Sequence, residues 1–174
     1  MTTANTTSVH GLALERAGLI HLHRDRVRLR GVSVEGTNVG TIVDVMLDLQ
    51  ARKVVGFGVR LAEGDARFVP LVAVVALGPC GIELGSPLHL MHDIGFYNGA
   101  GMPLATLLGR PVGCRHQPAA SIADVIADLS TGDVVAVELS DGRALLRETL
   151  AQVTDGFRIP CECGERDRTR KLIA

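Results

Sequence analysis

Several groups of residues in this chain have the types and spacing that could support chemistry. Cys161-Glu162-Cys163-Gly164 sets two thiols two positions apart. Two thiolates can share a soft metal ion, with Cys80, Cys114 or a histidine completing a tetrahedron. No second such pair and no histidine follows them, so a structural role is expected for both cysteines. His21 and His23 would share one face of a strand, and His89, His92 and Asp93 one face of a short helix. Either group could bind zinc, but neither histidine pair has a third ligand at a telling spacing. Surface or interfacial histidines are the expectation. Asp44 and Asp48, and again Asp124 and Asp128, place paired carboxylates on one strand face. Residues four apart on a strand are about 13 Å apart, too far for one metal ion, so a solvated outer face is expected. Arg24, Arg26, Arg28 and Arg30 alternate with Asp25, Val27 and Leu29 and would line one strand face. Such a stripe could contact phosphates. In a neutral chain it reads better as an outer face balanced by Asp44 and Asp48.

Composition narrows the function further. Of 174 residues 47% are apolar, which excludes a disordered chain, and 18 basic residues nearly balance 19 acidic ones. No global field points to nucleic acid or an anionic surface. Four Phe, one Tyr and no Trp leave few platforms on which bases could stack, so nucleic acid is not an expected partner. No Gly-rich phosphate loop, Gly-x-Ser-x-Gly or His-Glu-x-x-His motif occurs, and no enzyme activity, catalytic residue, cofactor or bound metal is expected. Residues Met1 to Val9 lack a signal-like apolar segment, and Phe68 to Leu77 falls short of the roughly 20 residues a bilayer requires. A cytoplasmic protein with reduced thiols is expected.

The elements that must position these residues come in two copies. Ile42-Val43-Asp44-Val45-Met46-Leu47-Asp48-Leu49 aligns with Ile122-Ala123-Asp124-Val125-Ile126-Ala127-Asp128-Leu129 at an offset of 80, continuing to Val54-Val55 against Val134-Val135. The period within each copy is two, the mark of a half-buried antiparallel strand. It places Val43, Val45, Leu47 and Leu49 inward, and Ile42, Asp44, Met46 and Asp48 outward. Val55, Phe57 and Val59 repeat the pattern, matched by Val135, Val137 and Leu139. Gly56 and Gly58 on the opposite face permit curvature or close approach. Turns are predicted at Glu35-Gly36-Thr37-Asn38, Ala51-Arg52-Lys53 and Ser130-Thr131-Gly132-Asp133. Pro70 ends a strand, and Ser86-Pro87 opens a short helix reaching about Asp93.

Leu29-Arg30-Gly31-Val32, Glu35-Gly36-Thr37-Asn38-Val39-Gly40, Val43-Asp44-Val45, Leu47-Asp48 and Phe68-Val69-Pro70 together resemble the PRC-barrel domain. That family is named for the H subunit of photosynthetic reaction centres, and a related barrel forms the C-terminal half of ribosome-maturation factors. The resemblance covers Arg26 to Leu84 and, in weaker form, Leu104 to Ile159. There Ala119-Ala120 replaces Val39-Gly40, and Pro70 has no counterpart near Leu145-Leu146. It implies a small β-barrel that docks onto other proteins and carries no catalytic residues.

The expected architecture is therefore mainly β, with two small PRC-type barrels in tandem and a short linker helix. The expected units are a tail (1–20), a first barrel (21–85), a linker (86–102), a barrel-like second copy (103–163) and a charged tail (164–174). The expected function is a non-catalytic adaptor binding protein partners, with a homodimer as one form. Ile42, Met46, Ile122 and Ile126 are the candidate contacts between barrels or with a partner. The alternatives are a metal- or redox-responsive protein using Cys161 and Cys163, and a factor associated with RNA or the ribosome.

Overall fold

The computed structural model describes residues 19–26, 29–78, 80–92, 101–112 and 120–146, with the backbone alone at 151–153 and 156–158. Short alternating segments broken by turn residues make the chain mainly β. In order the strands are β1 (Leu19–His21), β2 (Gly31–Val34), β3 (Thr37–Asp48), β4 (Lys53–Leu61), β5 (Ala66–Pro70), β6 (Val74–Gly78) and β7 (Gly81–Leu84). Then come β8 (Met102–Pro103), a single helical turn α1 (Leu104–Leu107), β9 (Pro111–Val112), β10 (Ala120–Asp128), β11 (Asp133–Leu139), β12 (Ala144–Leu146), β13 (Ala151–Val153) and β14 (Gly156–Arg158). All strands but the β13–β14 hairpin join one curled sheet, ordered β1-β10-β11-β4-β3-β2-β7-β6, with β5, β8, β9 and β12 paired alongside.

Each copy has the same frame. In the first, β3 pairs antiparallel with β4, β4 with β5, and β2 with the start of β3. In the second, β10 pairs with β11, β11 with β12, and β9 with the start of β10. The first copy extends further: β7 lies parallel to β2, pairing Val32 with Ile82, and β6 forms the outer strand. A two-residue turn at Glu35-Gly36, both at positive φ, joins β2 to β3, so β3 begins two residues before the expected Val39. The turn is pinned by Glu83, whose carboxylate accepts from the Ser33 hydroxyl and, at 3.0 Å, from the Gly36 N–H. These bonds, led by the one from Ser33, hold its carboxyl below the usual range.

The simple alternation expected along β3 does not hold. The register shifts between Ile42 and Asp44 and again between Met46 and Leu47, and β10 shifts at the matching places, Ile122/Asp124 and Ile126/Ala127. A bulge inserts one residue and so reverses which side chains face inward beyond it. Val43 is therefore turned outward, 40% exposed, and Ile42 inward, 8% exposed. Met46, Ile122 and Ile126 are buried as well. Ile42 and Ile122 belong to the main core, which draws on both copies, while Ile126 packs with Ala136, Ala144, Leu19 and Leu146. None of the four expected contact residues offers a free surface to a partner.

The linker also differs. Ser86 caps as expected, accepting from Leu88 N–H at 3.2 Å, but the helix is one 3-10 turn at Pro87–His89 that closes at Leu90. Residues 93–100, including Asp93, lie outside the described residues, and α1 was not anticipated. Nor do the arginines share a strand face. Beyond His21 the chain turns over residues 22–26, held by Asp25 N–H donating to His21 O (2.9 Å) and His21 N–H donating to Asp25 Oδ2 (3.1 Å). Arg28 lies outside the described residues.

Of the two glycines that face away from Phe57, only Gly56 is required by close approach. A Cβ there would lie 2.2 Å from Val69 O, a backbone atom, whereas one at Gly58 would meet nothing nearer than 3.6 Å. Gly56→Ala is expected to destabilise the protein by about 2 kcal/mol or more, because β5 must move. Gly58→Ala should be neutral or stabilising by up to about 1 kcal/mol. Urea midpoints for the two variants check this contrast.

Candidate functional site

Two places in this frame combine unusual chemistry with position. The first is the junction between the copies. At its centre β11 and β4 meet at Asp133 and Lys53. Val54 N–H donates to Gly132 O (2.7 Å) and Val134 N–H donates to Arg52 O (3.0 Å), a reciprocal pair at the repeat offset. Arg52 (φ 55°) and Gly132 (φ 73°), also equivalent, shape the same turn. Further out, the copies exchange their leading strands: β1 pairs with β10, and β8 with β3.

The repeated aspartates hold these exchanges. They do not form the solvated face expected from sequence. Asp124 is only 2% exposed, and its Oδ1 accepts from Val125 N–H (2.7 Å) and His23 N–H (2.8 Å), its Oδ2 from Arg24 N–H (3.0 Å). Asp44 does the same less completely, accepting from Val45 N–H (2.8 Å) and Ala105 N–H (3.3 Å). Each therefore stabilises its own bulge and clasps the strand-leading segment of the other copy. Asp48 and Asp128 cap the turns that follow, accepting from Gln50 and Ala51 N–H (both 2.8 Å) and from Ser130 N–H (2.9 Å).

At Asp124 the junction carries more charge than at Asp44. Glu138 lies opposite Asp124 across the β10–β11 ladder and is 9% exposed. Its Oε1 accepts from Arg24 Nη2 at 2.6 Å. That bond, more than the accompanying attraction between the charges, raises the guanidinium pKa further. His21, at the end of β1, places Nδ1 3.5 Å from Asp124 Oδ2 and 3.5 Å from Glu138 Oε2. The sequence flagged His21 and Asp124 separately but missed Glu138 and their meeting. A hydrophobic alternation broken by one Glu at the position of Gly58 was the available signal.

The second place is the outer strand β6. On it Val75 is 64% exposed and Leu77 41%, and Val72, on the 3-10 turn Leu71–Ala73 that leads into it, 95%; they stand beside a strand edge that no described strand covers. They line a groove of about 610 Å³. Its far wall is the turn of the second copy, Leu129, Ser130 and Thr131, and no charged side chain lines it. Gly132 fits against Leu71, whose Cδ2 would stand 2.9 Å from an added Cβ. The groove thus needs both copies.

The frame of β2 through β7 coincides with a recognised family. Residues 29–83 match the PRC-barrel domain. The match lies within the first copy, and the PRC-barrel unit so defined contains the two bulges of β3–β4, the Glu35-Gly36 turn and the exposed edge. No curated protein matches the chain. No helix among the described residues is long and apolar enough to cross a membrane.

The other sequence candidates stay apart. Arg26 Nη2 donates to Val43 O at 3.2 Å, far from any stripe. Cys80 is a free, exposed cysteine, while Cys114, Cys161 and Cys163 lie outside the described residues. His89 and His92 flank the end of the 3-10 turn. Removing Asp124 strands three backbone donors, so Asp124→Ala is expected to cost about 2–4 kcal/mol, against about 1 kcal/mol for the more exposed Asp44→Ala. Chemical denaturation with unchanged slope would establish that order.

Proposed function

We propose that this protein is a non-catalytic interaction module, built from two PRC-type units, that docks an extended apolar segment of a protein partner onto β6. The observation that carries this reading is the exposure of Val75 and Leu77 along an open strand edge, with Val72 exposed on the 3-10 turn that leads into it. A strand edge offers unpaired backbone donors and acceptors, and a protein that leaves an aliphatic edge uncovered invites another strand. The groove beside it takes alternate side chains of the incoming strand, which gives selectivity. Its uncharged lining favours an aliphatic segment over nucleic acid or an acidic peptide. The PRC-barrel match over residues 29–83 supports the same style of action. The second copy then serves as the groove's far wall.

The edge is tested with Val75→Lys and Val72→Lys, both on exposed positions where folding should be unaffected. Each is expected to weaken a captured protein partner by at least about tenfold, or about 1.4 kcal/mol. Val43→Lys, on the bulge away from this edge, should leave capture unchanged. Light scattering of the purified chain shows whether the segment belongs to a second copy. Partner binding that survives both edge variants would overturn the reading.

A further inference from the structure

The junction at Asp124 has a twin, and the difference between them separates what the fold needs from what has been added. Asp44 faces Gly58 across β3–β4, and Pro103 pairs with Met46. At the equivalent positions Asp124 faces Glu138, and His21 pairs with Ile126. The Asp44 junction makes the same strand exchange and the same bulge with glycine and proline, so the exchange does not require His21 or Glu138.

Their presence is costly as it stands. Asp124 and Glu138 are like charges directly opposite one another on neighbouring strands, which is destabilising unless a cation lies between them. Arg24 engages only Oε1 of Glu138. The other oxygen, Oε2, is buried with no hydrogen-bond partner, and so is Nδ1 of His21. Both His21 distances, 3.5 Å, are too long for a charge-assisted hydrogen bond, which would close to about 2.7–2.9 Å. They do fit a different geometry. Two ligands bonded at about 2.0–2.1 Å to a tetrahedral metal ion stand about 3.4 Å apart. The three ligand atoms all lie within 4.8 Å of one another.

We propose that His21 Nδ1, Asp124 Oδ2 and Glu138 Oε2 bind one divalent metal ion of the zinc class, with water completing the shell. The imidazole selects this class over magnesium and calcium, which prefer shells of oxygen alone. Arg24 acts as a positioning residue, fixing the Glu138 carboxylate through Oε1 so that Oε2 points at the ion. Because the ligands come from β1, β10 and β11, the ion fastens the leading strand of the first unit to the second. The site is independent of docking at β6.

The test is titration of chelator-treated full-length protein with Zn²⁺, against Mg²⁺ as control, followed by calorimetry and thermal unfolding. One equivalent of Zn²⁺ is expected to bind and raise the melting temperature, as any ligand of the folded state must. His21→Ala and Glu138→Gln should each weaken binding by at least about tenfold with the circular dichroism unchanged. The double variant Cys161→Ser, Cys163→Ser should still bind. Should either site variant fail to fold, the Co²⁺ spectrum of the unaltered chain decides, since nitrogen and oxygen ligands give no thiolate charge-transfer band. A thiolate band, binding lost with the cysteines, binding indifferent to His21 and Glu138, or no binding at all would overturn the proposal.

Discussion

A buried carboxylate is tolerable only where donors surround it, and Asp124 obtains its donors from two parts of the chain 100 residues apart. Val125 N–H comes from its own bulge, while His23 and Arg24 N–H come from the turn that leads into the first unit. The bulge tilts the carboxylate inward, and the inward carboxylate in turn needs the turn of residues 22–26 to be seated. Strand exchange, bulge and buried charge are therefore one device. Its weaker twin at Asp44 holds the other crossing.

That device explains why the two copies behave as one body. Their leading strands are exchanged, their central edges meet through reciprocal bonds around Lys53 and Asp133, and their apolar interiors merge in a single core. Either copy alone would expose an unpaired long strand where the other's leading segment sits. The arrangement is close to a twofold relation within one chain. Among the described residues the halves differ in the parallel β7 and the apolar β6 of the first, and in the cluster of His21, Arg24, Asp124 and Glu138 at the second.

The groove and the junction each draw on both halves of the sheet, in opposite ways. At β6 the second copy contributes a wall, since Leu129 and Thr131 complete a groove begun by Val72 and Val75. At the junction the second copy sets Asp124 opposite Glu138, where the first has Asp44 opposite Gly58.

Legible along the chain were the β class, the offset of 80, the turns at Glu35-Gly36 and Ser130 to Asp133, the Ser86 cap and the resemblance around Leu29 to Pro70. These are local properties, set by period, turn chemistry and residue identity within a few positions. The sequence also singled out Gly56 for curvature or close approach, and Asp124 and His21 as ligand candidates set against surface roles. The rest depends on contacts between distant segments. A bulge is a relation between two strands, invisible in the alternation of one, so the inward turn of Ile42 and the outward turn of Val43 were not legible, nor was the packing that buries Met46, Ile122 and Ile126. The exchange of leading strands joins residues about 100 apart, and no spacing rule links His21 to Asp124 and Glu138. Burial then set Asp124 and Glu138 apart from the other carboxylates, because a charge has strong consequences only where water cannot reach it.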